Sequence, residues 1–293
     1  MSSNQVSRSQ GRSPTRRIAR AAEAVHTLAY YTPEIRGFDD DGFSGWWHAY
    51  FAYRAAPMGP VPASVVTSIF YNFAPRFIER AVPGCWEIMT PERVRERQLE
   101  LVEAAVGRAL ADYPDPAQIG TAAELLRSMA ADLPIGARPL YAAWAGEPWP
   151  GTDLMDLWHG TTLLREFRFD GHNIALAAGN LDPCECHLMM ASHGFGDAET
   201  IQRIRGWNAD EWTAAHRRLT DRGLLTDGGE QTEAGSQARR EVERHTDDLA
   251  SPIDTVPEPG VAAELAGILE DLRDYLMSTG EVYGVWPPPT VLR

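Results

Sequence analysis

The stretch REFRFDGH carries the densest group of side chains that could do chemistry. Arg165 and Arg168 are three residues apart and would share one helix face, where their guanidinium groups could hold a carboxylate or a phosphate. Asp170 could orient His172 through one ring N–H and leave the other nitrogen as a base. We therefore predict that His172 and Asp170 are catalytic and that Arg165 and Arg168 bind a ligand. The alternative is a structural ion network that includes Glu166, with His172 as a helix cap.

The stretch CECH could supply soft ligands for zinc or copper. Cys184, Cys186 and His187, together with His172 or His193, have suitable donor atoms. Their spacing differs from the Cys-x2–4-Cys pairs of structural zinc sites, and small buried cysteines are common core residues. We assign no metal ligands and keep a metal site as the alternative.

Three further stretches, VHTLAYY, GWWHAYFAYR and IFYNF, combine aromatic rings with polar tips. A helical interior lined by such residues suits a flat organic ligand. The predicted ligand-binding residues in these stretches are His26, Tyr30, Arg54, Tyr71 and Asn72. The alternative is an aromatic core, in which each tyrosine hydroxyl would need a hydrogen-bond partner. His26 also fits a buried core position or an axial haem ligand.

Missing residues and motifs exclude several enzyme classes. All 27 basic residues are arginine, so there is no lysine for a Schiff base, a Walker A loop or a protein kinase. The sequence contains neither GxGxxG nor GxSxG, and the GFSG stretch at Gly42–Gly45 lacks the spacing of a nucleophile elbow. Dinucleotide binding and serine hydrolysis at such an elbow therefore lack their usual motifs.

Helical patterns dominate the chain. Ile18 and Val25 belong to an apolar series with helical spacing. Thr90 and Pro91 are typical of an N-cap and a first helical position. Extended segments are few, and Gly223–Leu225 followed by a DGG turn predicts one small hairpin.

The two halves share an ordered series of motifs. PEIR and REFR each contain Glu-x-Arg, and RAAPMGPVP and LAAGNLDP each place an Ala-Ala pair before a Gly and a Pro. Trp86 follows Pro62 by 24 residues, and Trp207 follows Pro183 by 24 residues. This series predicts a tandem duplication with a ligand between the copies. The predicted divisions are a disordered tail at 1–17, a first repeat at 18–132, a linker at 133–152, a second repeat at 153–250, and a linker with C-terminal helix and tail at 251–293.

The stretch GWNADEWTAAHRRLTDRGLLTDGGEQTEAG resembles the C-terminal part of a MarR-type winged helix. That pattern has L-x-x-R-G-L, a short wing, T-x-x-G and then a long helix. The matching residues are Leu219, Arg222, Gly223, Leu224, Thr232 and Gly235.

A wider resemblance covers roughly residues 18–280. The stretches EAVHTLAYYTPE, YFAYRAAPMGPVP, FYNFAP and LLREFRFDGH are similar to an actinobacterial family described as helix-turn-helix or SalK-like. The resemblance implies a winged-helix fold and a cytoplasmic location, and it implies no particular reaction.

The charge distribution disfavours nucleic acid as a partner. The net charge is −14, although the first 20 residues contain five arginines and no acid. Such a field repels phosphates. The helix that would read DNA begins NADEW, with Asp210 and Glu211 toward the groove, and its wing carries acids and no base. The basic tail keeps DNA binding as an alternative.

Three cysteines without a secretion signal favour a reducing cytoplasm. No apolar run approaches the roughly 20 residues that span a bilayer.

We expect a mainly α protein of tandem winged-helix-like repeats, with a small β-wing and a C-terminal helix, that forms a cytoplasmic homodimer. The predicted function is binding of an anionic or aromatic small molecule, with catalysis in secondary metabolism as a variant. A ligand-responsive MarR-like regulator and a haem- or metal-dependent enzyme are the alternatives. The sequence identifies no cofactor.

Overall fold

A computed structural model describes residues 14–255 and 260–283. The predicted tail at 1–17 lies outside them except for residues 14–17, which begin the first helix, and residues 284–293 also lie outside. The described residues are mainly helical, as predicted, and contain no β-strand. None of their helices has the length and apolar character needed to cross a membrane.

The α-helices of the first half are α1 Pro14–His26, α2 Leu28–Tyr31, α3 Gly37–Asp40, α4 Trp46–Ala55, α5 Ala63–Ile69, α6 Pro75–Glu79, α7 Cys85–Ile88, α8 Pro91–Ala109, α9 Pro116–Ala131 and α10 Pro139–Ala145. The second half contains α11 Asp153–Ala178, α12 Glu185–Ser192, α13 Ala198–Ile204, α14 Ala209–Asp221, α15 Glu233–Ala250, α16 Pro252–Thr255 and α17 Val261–Ser278. Short 3-10 helices cover Pro33–Arg36 and Ala56–Met58.

Residue types at the helix starts explain many of these boundaries. Pro75, Pro91 and Pro116 occupy the first positions of α6, α8 and α9, where a missing N–H costs no intrahelical hydrogen bond. Asp197 and Asn208 cap α13 and α14 by accepting backbone N–H groups with their side chains. The predicted helix start at Pro91 is therefore confirmed.

The chain folds into two compact units that interleave along the sequence. Among the described residues, unit 1 comprises residues 14–37, 96–169, 247–255 and 260–283, and unit 2 comprises residues 38–95 and 170–246. The boundaries between units fall inside α3, α8, α11 and α15. The linear division into two repeats stays a prediction.

The core of unit 1 is built on α1 and α17, which pack against each other. α1 buries Ile18 and Val25, and α17 buries Leu265, Leu269 and Leu272. Burying each such side chain contributes roughly 1.5–3 kcal/mol. In each helix the buried apolar residues are three, four or seven residues apart, so they lie on one face. The two apolar faces pack against each other along the helices.

The core of unit 2 is aromatic. Phe51 of α4 is fully buried, and its ring centroid lies 5.0 Å from that of Phe73, in a near-perpendicular arrangement. Phe70 stacks on Phe51 at 6.1 Å, and Tyr53 stacks on Phe38 at 5.6 Å. Much of the aromatic stretch GWWHAYFAYR therefore fills a core.

Unit 2 also contains a helix-turn-helix, formed by α13, a turn at residues 205–208 and α14. α12 packs against both helices. The turn requires Gly206, because its φ is +77° and an added Cβ would lie 2.6 Å from the Cβ of Phe77.

The predicted β-wing is reduced to one antiparallel bridge between Leu225 and Gln231. The N–H of Thr226 donates to the carbonyl of Glu230 at 2.9 Å, and this hydrogen bond closes the turn directly after the bridge. The segment is too short for a second residue pair, so the described residues form a turn here and no strands.

Candidate functional site

Side chains of α1, α2 and α11 form a polar cluster in unit 1. Nδ1 of His26 lies 3.0 Å from the hydroxyl of Thr162, and the rings of Tyr30 and His26 meet edge-on with centroids 4.7 Å apart. Further along α11, Arg165 and Glu166 form an ion pair at 2.8 Å. We call these five residues the His26 cluster. It includes three predicted ligand-binding residues that belong to two separate sequence motifs.

Hydrogen bonds fix which nitrogen of His26 carries the proton. The hydroxyl of Thr162 donates its single hydrogen to the carbonyl of Trp158 at 2.9 Å, so it can only accept from His26. Nδ1 of His26 is therefore the donor, and Nε2 carries the lone pair of the neutral ring. Nε2 is thus the atom that can accept a hydrogen bond or a proton.

The charged part of the His26 cluster is costly to bury. Glu166 has no exposed surface, and the side chain of Arg165 is only 17% exposed. Arg165 also reaches Glu23 of α1 at 3.5 Å. Because well-packed apolar side chains would stabilise a core at least as well as a buried ion pair, buried ionisable groups of this kind mark a candidate functional site.

The two arginines of the predicted fork have different acidic partners. Arg168 pairs with Asp247 of α15 at 3.2 Å, and Arg16 reaches the same carboxylate at 3.6 Å. Arg165 instead pairs with Glu166 within the His26 cluster. The ligand-binding role of Arg168 stays a prediction.

His172 and Asp170 lie on the part of α11 that belongs to unit 2. Nδ1 of His172 is 3.0 Å from the hydroxyl of Thr246, which donates its hydrogen to the carbonyl of Val242 at 2.7 Å. Nδ1 of His172 is therefore a donor, and in the neutral ring Nε2 carries the lone pair. The ring N–H that was predicted to bond Asp170 is therefore accepted by Thr246. Asp170 is buried and lies two positions from His172 on the helix, where side chains do not face each other. Both catalytic roles stay predictions.

Two more predicted ligand-binding residues take part in the packing of unit 2. Arg54 is buried, donates to the hydroxyl of Tyr50 at 2.9 Å, and lies 4.5 Å from the ring centre of Phe70. The hydroxyl of Tyr71 donates to the carbonyl of Leu181 at 2.7 Å. Burial raises the pKa of Tyr71 to about 12, so its hydroxyl stays protonated.

Asn72 belongs to the stretch NFAPRF, which binds the helix-turn-helix within unit 2. Its backbone carbonyl accepts hydrogen bonds from Nε2 of His187 at 2.8 Å and from the indole N–H of Trp207 at 3.3 Å. Arg76, in the same stretch, pairs with Glu211 of α14 at 2.6 Å. Asn72 therefore uses its backbone to hold the turn.

Most arginines of the helix-turn-helix region are engaged. Arg218 and Arg222 both pair with Glu185 of α12, at 2.8 and 3.0 Å. Arg203 and Arg217 are exposed and form no ion pair within residues 14–255 and 260–283. This surface therefore offers few cations to phosphates, which supply most DNA-binding affinity.

The thiols of the CECH stretch are buried. Burial raises the pKa of Cys184 to about 12 and raises that of Cys186 as well, so neither is a reactive thiolate near neutral pH. His187 uses Nε2 for the carbonyl of Asn72. In the part of the chain that the structure describes, no group of three His, Cys, Asp or Glu side chains is arranged to hold a metal ion.

Sequence reasoning missed Thr162 and Thr246, which determine how the two histidines are held. Thr162 is 136 residues from His26, and Thr246 is 74 residues from His172. No local pattern indicates such a pairing, because the partners meet only when the helices pack.

Comparison with known proteins supports a helix-turn-helix family. The model of a helix-turn-helix family matches residues 15–283, and this confirms the helix-turn-helix resemblance drawn from the sequence. No curated protein and no solved structure matches the chain. The match spans most of the chain, which therefore belongs to this helix-turn-helix family.

Proposed function

We propose that the protein binds a small organic molecule at the His26 cluster. The observation that carries the proposal is the fully buried carboxylate of Glu166 beside Arg165. Glu166 lies one helical turn beyond Thr162, so it shares a face of α11 with the residue that holds His26. Burying these charged and polar groups inside a helical unit costs free energy, and recognition of a ligand would explain why they are there.

The side chains of the cluster contribute different interactions in this proposal. Nε2 of His26 accepts a hydrogen bond from the ligand, and the Arg165–Glu166 pair orients a polar group. Tyr30 supplies an aromatic surface next to the imidazole. A ligand with one flat or apolar part and one polar group matches this set.

Native mass spectrometry of the full chain as purified tests the proposal. Small molecules released on denaturation are compared between the wild-type protein and Glu166→Gln, which keeps the side-chain volume and removes the charge. Glu124→Gln is the matched control, because Glu124 is exposed on α9 in the same unit.

We expect a released molecule from the wild type and from Glu124→Gln, and none from Glu166→Gln. Absence of any released molecule, together with no thermal shift of the wild type in a metabolite library, would contradict the proposal.

A ligand-responsive transcriptional regulator is the second candidate function. The helix-turn-helix with exposed Arg203 and Arg217 favours it, whereas exposed Asp210 and Asp221 on α14 oppose it. Selection from a random duplex pool at about 0.15 M salt tests this candidate. Enrichment of one sequence by the wild type but not by Arg217→Ala would support it, and no enrichment would remove it.

A further inference from the structure

Ser44 and His48 form a hydroxyl–imidazole pair in unit 2, apart from the His26 cluster. Oγ of Ser44 lies 2.9 Å from Nδ1 of His48, and the backbone N–H of Ser44 donates to the same nitrogen at 3.1 Å. This is the separation expected of a nucleophile and its general base.

The backbone contact fixes the tautomer of His48. An amide N–H can only donate, so Nδ1 of His48 must carry the lone pair. The Ser44 hydroxyl, which lies beside the same lone pair, then donates its hydrogen to Nδ1. Burial lowers the pKa of His48, so the ring is neutral near pH 7.

The backbone around Ser44 presents its hydroxyl outward. Ser44 is exposed and sits at the centre of a tight turn, in which the N–H of Gly45 donates to the carbonyl of Phe43 at 2.9 Å. Gly45 has a φ of +86° and is followed at once by the first turn of α4. The first N–H groups of a helix have no intrahelical acceptor and favour negative charge.

We propose that Ser44 and His48 are the nucleophile and the general base of an acyl-transfer site for small carboxylic esters. Oγ of Ser44 attacks the ester carbonyl carbon, and its proton moves to Nδ1 of His48. The alkoxide then leaves with that proton, and Ser44 carries the acyl group. Nδ1 then takes a proton from a water molecule whose oxygen attacks the acyl carbon, and returns that proton to Oγ as the bond to Ser44 breaks, which releases the carboxylic acid and restores Ser44 and neutral His48.

This proposal is independent of the small-molecule site in unit 1. A purely structural role for the same contacts is to cap α4, since His48 accepts the N–H of Ser44. The two roles make different demands on His48. A helix cap needs only a hydrogen-bond acceptor, whereas catalysis needs a group that takes up a proton.

The test uses the full chain and p-nitrophenyl acetate. Release of p-nitrophenolate is followed by absorbance, and peptide mass mapping locates the acetyl group. Ser44→Ala removes the nucleophile. Ser68→Ala is the matched control, because Ser68 is an exposed serine whose hydroxyl donates to the Val65 carbonyl and has no histidine partner.

His48→Asn distinguishes a role of His48 as a general base from a role as a helix cap. The amide oxygen of asparagine occupies about the position of Nδ1 and can still accept the N–H of Ser44, but it takes up no proton. We expect acetylation of Ser44 in the wild type and in Ser68→Ala, none in Ser44→Ala, and a rate lower by about 10²-fold or more in His48→Asn.

Two results would overturn the proposal. One is nitrophenolate release by the wild type that equals release by Ser44→Ala, with no acetyl group on Ser44. The other is an unchanged acetylation rate in His48→Asn, provided that its circular dichroism matches the wild type.

Discussion

At the scale of single residues, two histidines are held in the same way. Nδ1 of His26 donates to Thr162, and Nδ1 of His172 donates to Thr246. Each threonine gives its own hydrogen to the carbonyl four residues earlier in its helix. In the neutral form of both rings the lone pair is therefore on Nε2, which suits hydrogen-bond acceptance or proton transfer at that atom.

The Thr162 contact predicts a measurable loss of stability. Thr162→Val leaves the buried N–H of His26 without this acceptor, and an unsatisfied buried polar group costs about 1–3 kcal/mol. Thr161→Val is the control, because Thr161 is equally buried and donates to the same Trp158 carbonyl without touching His26.

The free energy of unfolding in urea is compared for these two variants. We expect Thr162→Val to lose more stability than Thr161→Val, by about 1–3 kcal/mol. Equal losses would show that the hydrogen bond to His26 contributes nothing.

His187 predicts a dependence of stability on pH. Burial, helped by the nearby charge of Arg205, lowers its pKa to about 3, although its hydrogen bond to Asn72 acts in the opposite direction. The unfolded chain binds a proton near pH 6.5 and the folded chain does not, so stability falls as pH drops from about 6.5 toward 3.

We expect this loss to approach about 1.4 kcal/mol per pH unit below pH 6. His187→Gln keeps an N–H for the Asn72 carbonyl and cannot titrate. Urea unfolding at pH 7 and pH 4.5 should therefore show a smaller loss in His187→Gln than in the wild type. The same pH dependence in both proteins would contradict the assignment.

At the scale of elements, the T-x-x-G pattern shapes the start of α15. The hydroxyl of Thr232 accepts the N–H of Gly235 at 3.0 Å and donates to the carbonyl of Gly223 at 2.6 Å. A Cβ on Gly235 would lie 2.1 Å from the carbonyl oxygen of Leu224. Only glycine lets the helix pass this close to the preceding segment.

Gly235→Ala is therefore expected to destabilise the protein. The clash is with backbone, which cannot move aside like a flexible side chain, so a loss of about 2 kcal/mol or more is expected. Gly267→Ala in α17 is the control, because an added Cβ there meets nothing within 4 Å.

Thermal unfolding followed by circular dichroism compares the two variants. Gly267→Ala should gain roughly 0.5–1 kcal/mol from helix propensity. A neutral Gly235→Ala variant would mean that α15 can shift away from Leu224.

At the scale of the whole molecule, the charge distribution predicts weak binding to DNA. The net charge is −14, and the helix-turn-helix exposes Arg203 and Arg217 beside acids. Two phosphate contacts correspond to a slope of about −2 in a plot of log binding constant against log salt.

Fluorescence anisotropy with a labelled random duplex at several salt concentrations measures that slope. We expect weak binding and a slope no steeper than about −2 for a chain that lacks residues 1–13, with the basic tail adding to the slope of the full chain. A slope near −6 for the shortened chain would reveal a phosphate-binding surface elsewhere.

Sequence patterns alone determined that the chain is mainly helical and predicted several element boundaries. Apolar spacing predicted helices such as α1, and the types of Thr90 and Pro91 predicted the start of α8. The stretches EAVHTLAYYTPE, YFAYRAAPMGPVP, FYNFAP and LLREFRFDGH indicated a helix-turn-helix family, which the family match confirms. These features are local, because capping, proline geometry and periodicity act within a few residues.

Tertiary structure alone decided which side chains meet. Arg165 and Arg168 looked like a pair because they are three residues apart, yet they reach different carboxylates. His26 meets Thr162, and Asn72 meets His187, across more than 100 residues. Such contacts depend on helix packing, which no short stretch of sequence encodes.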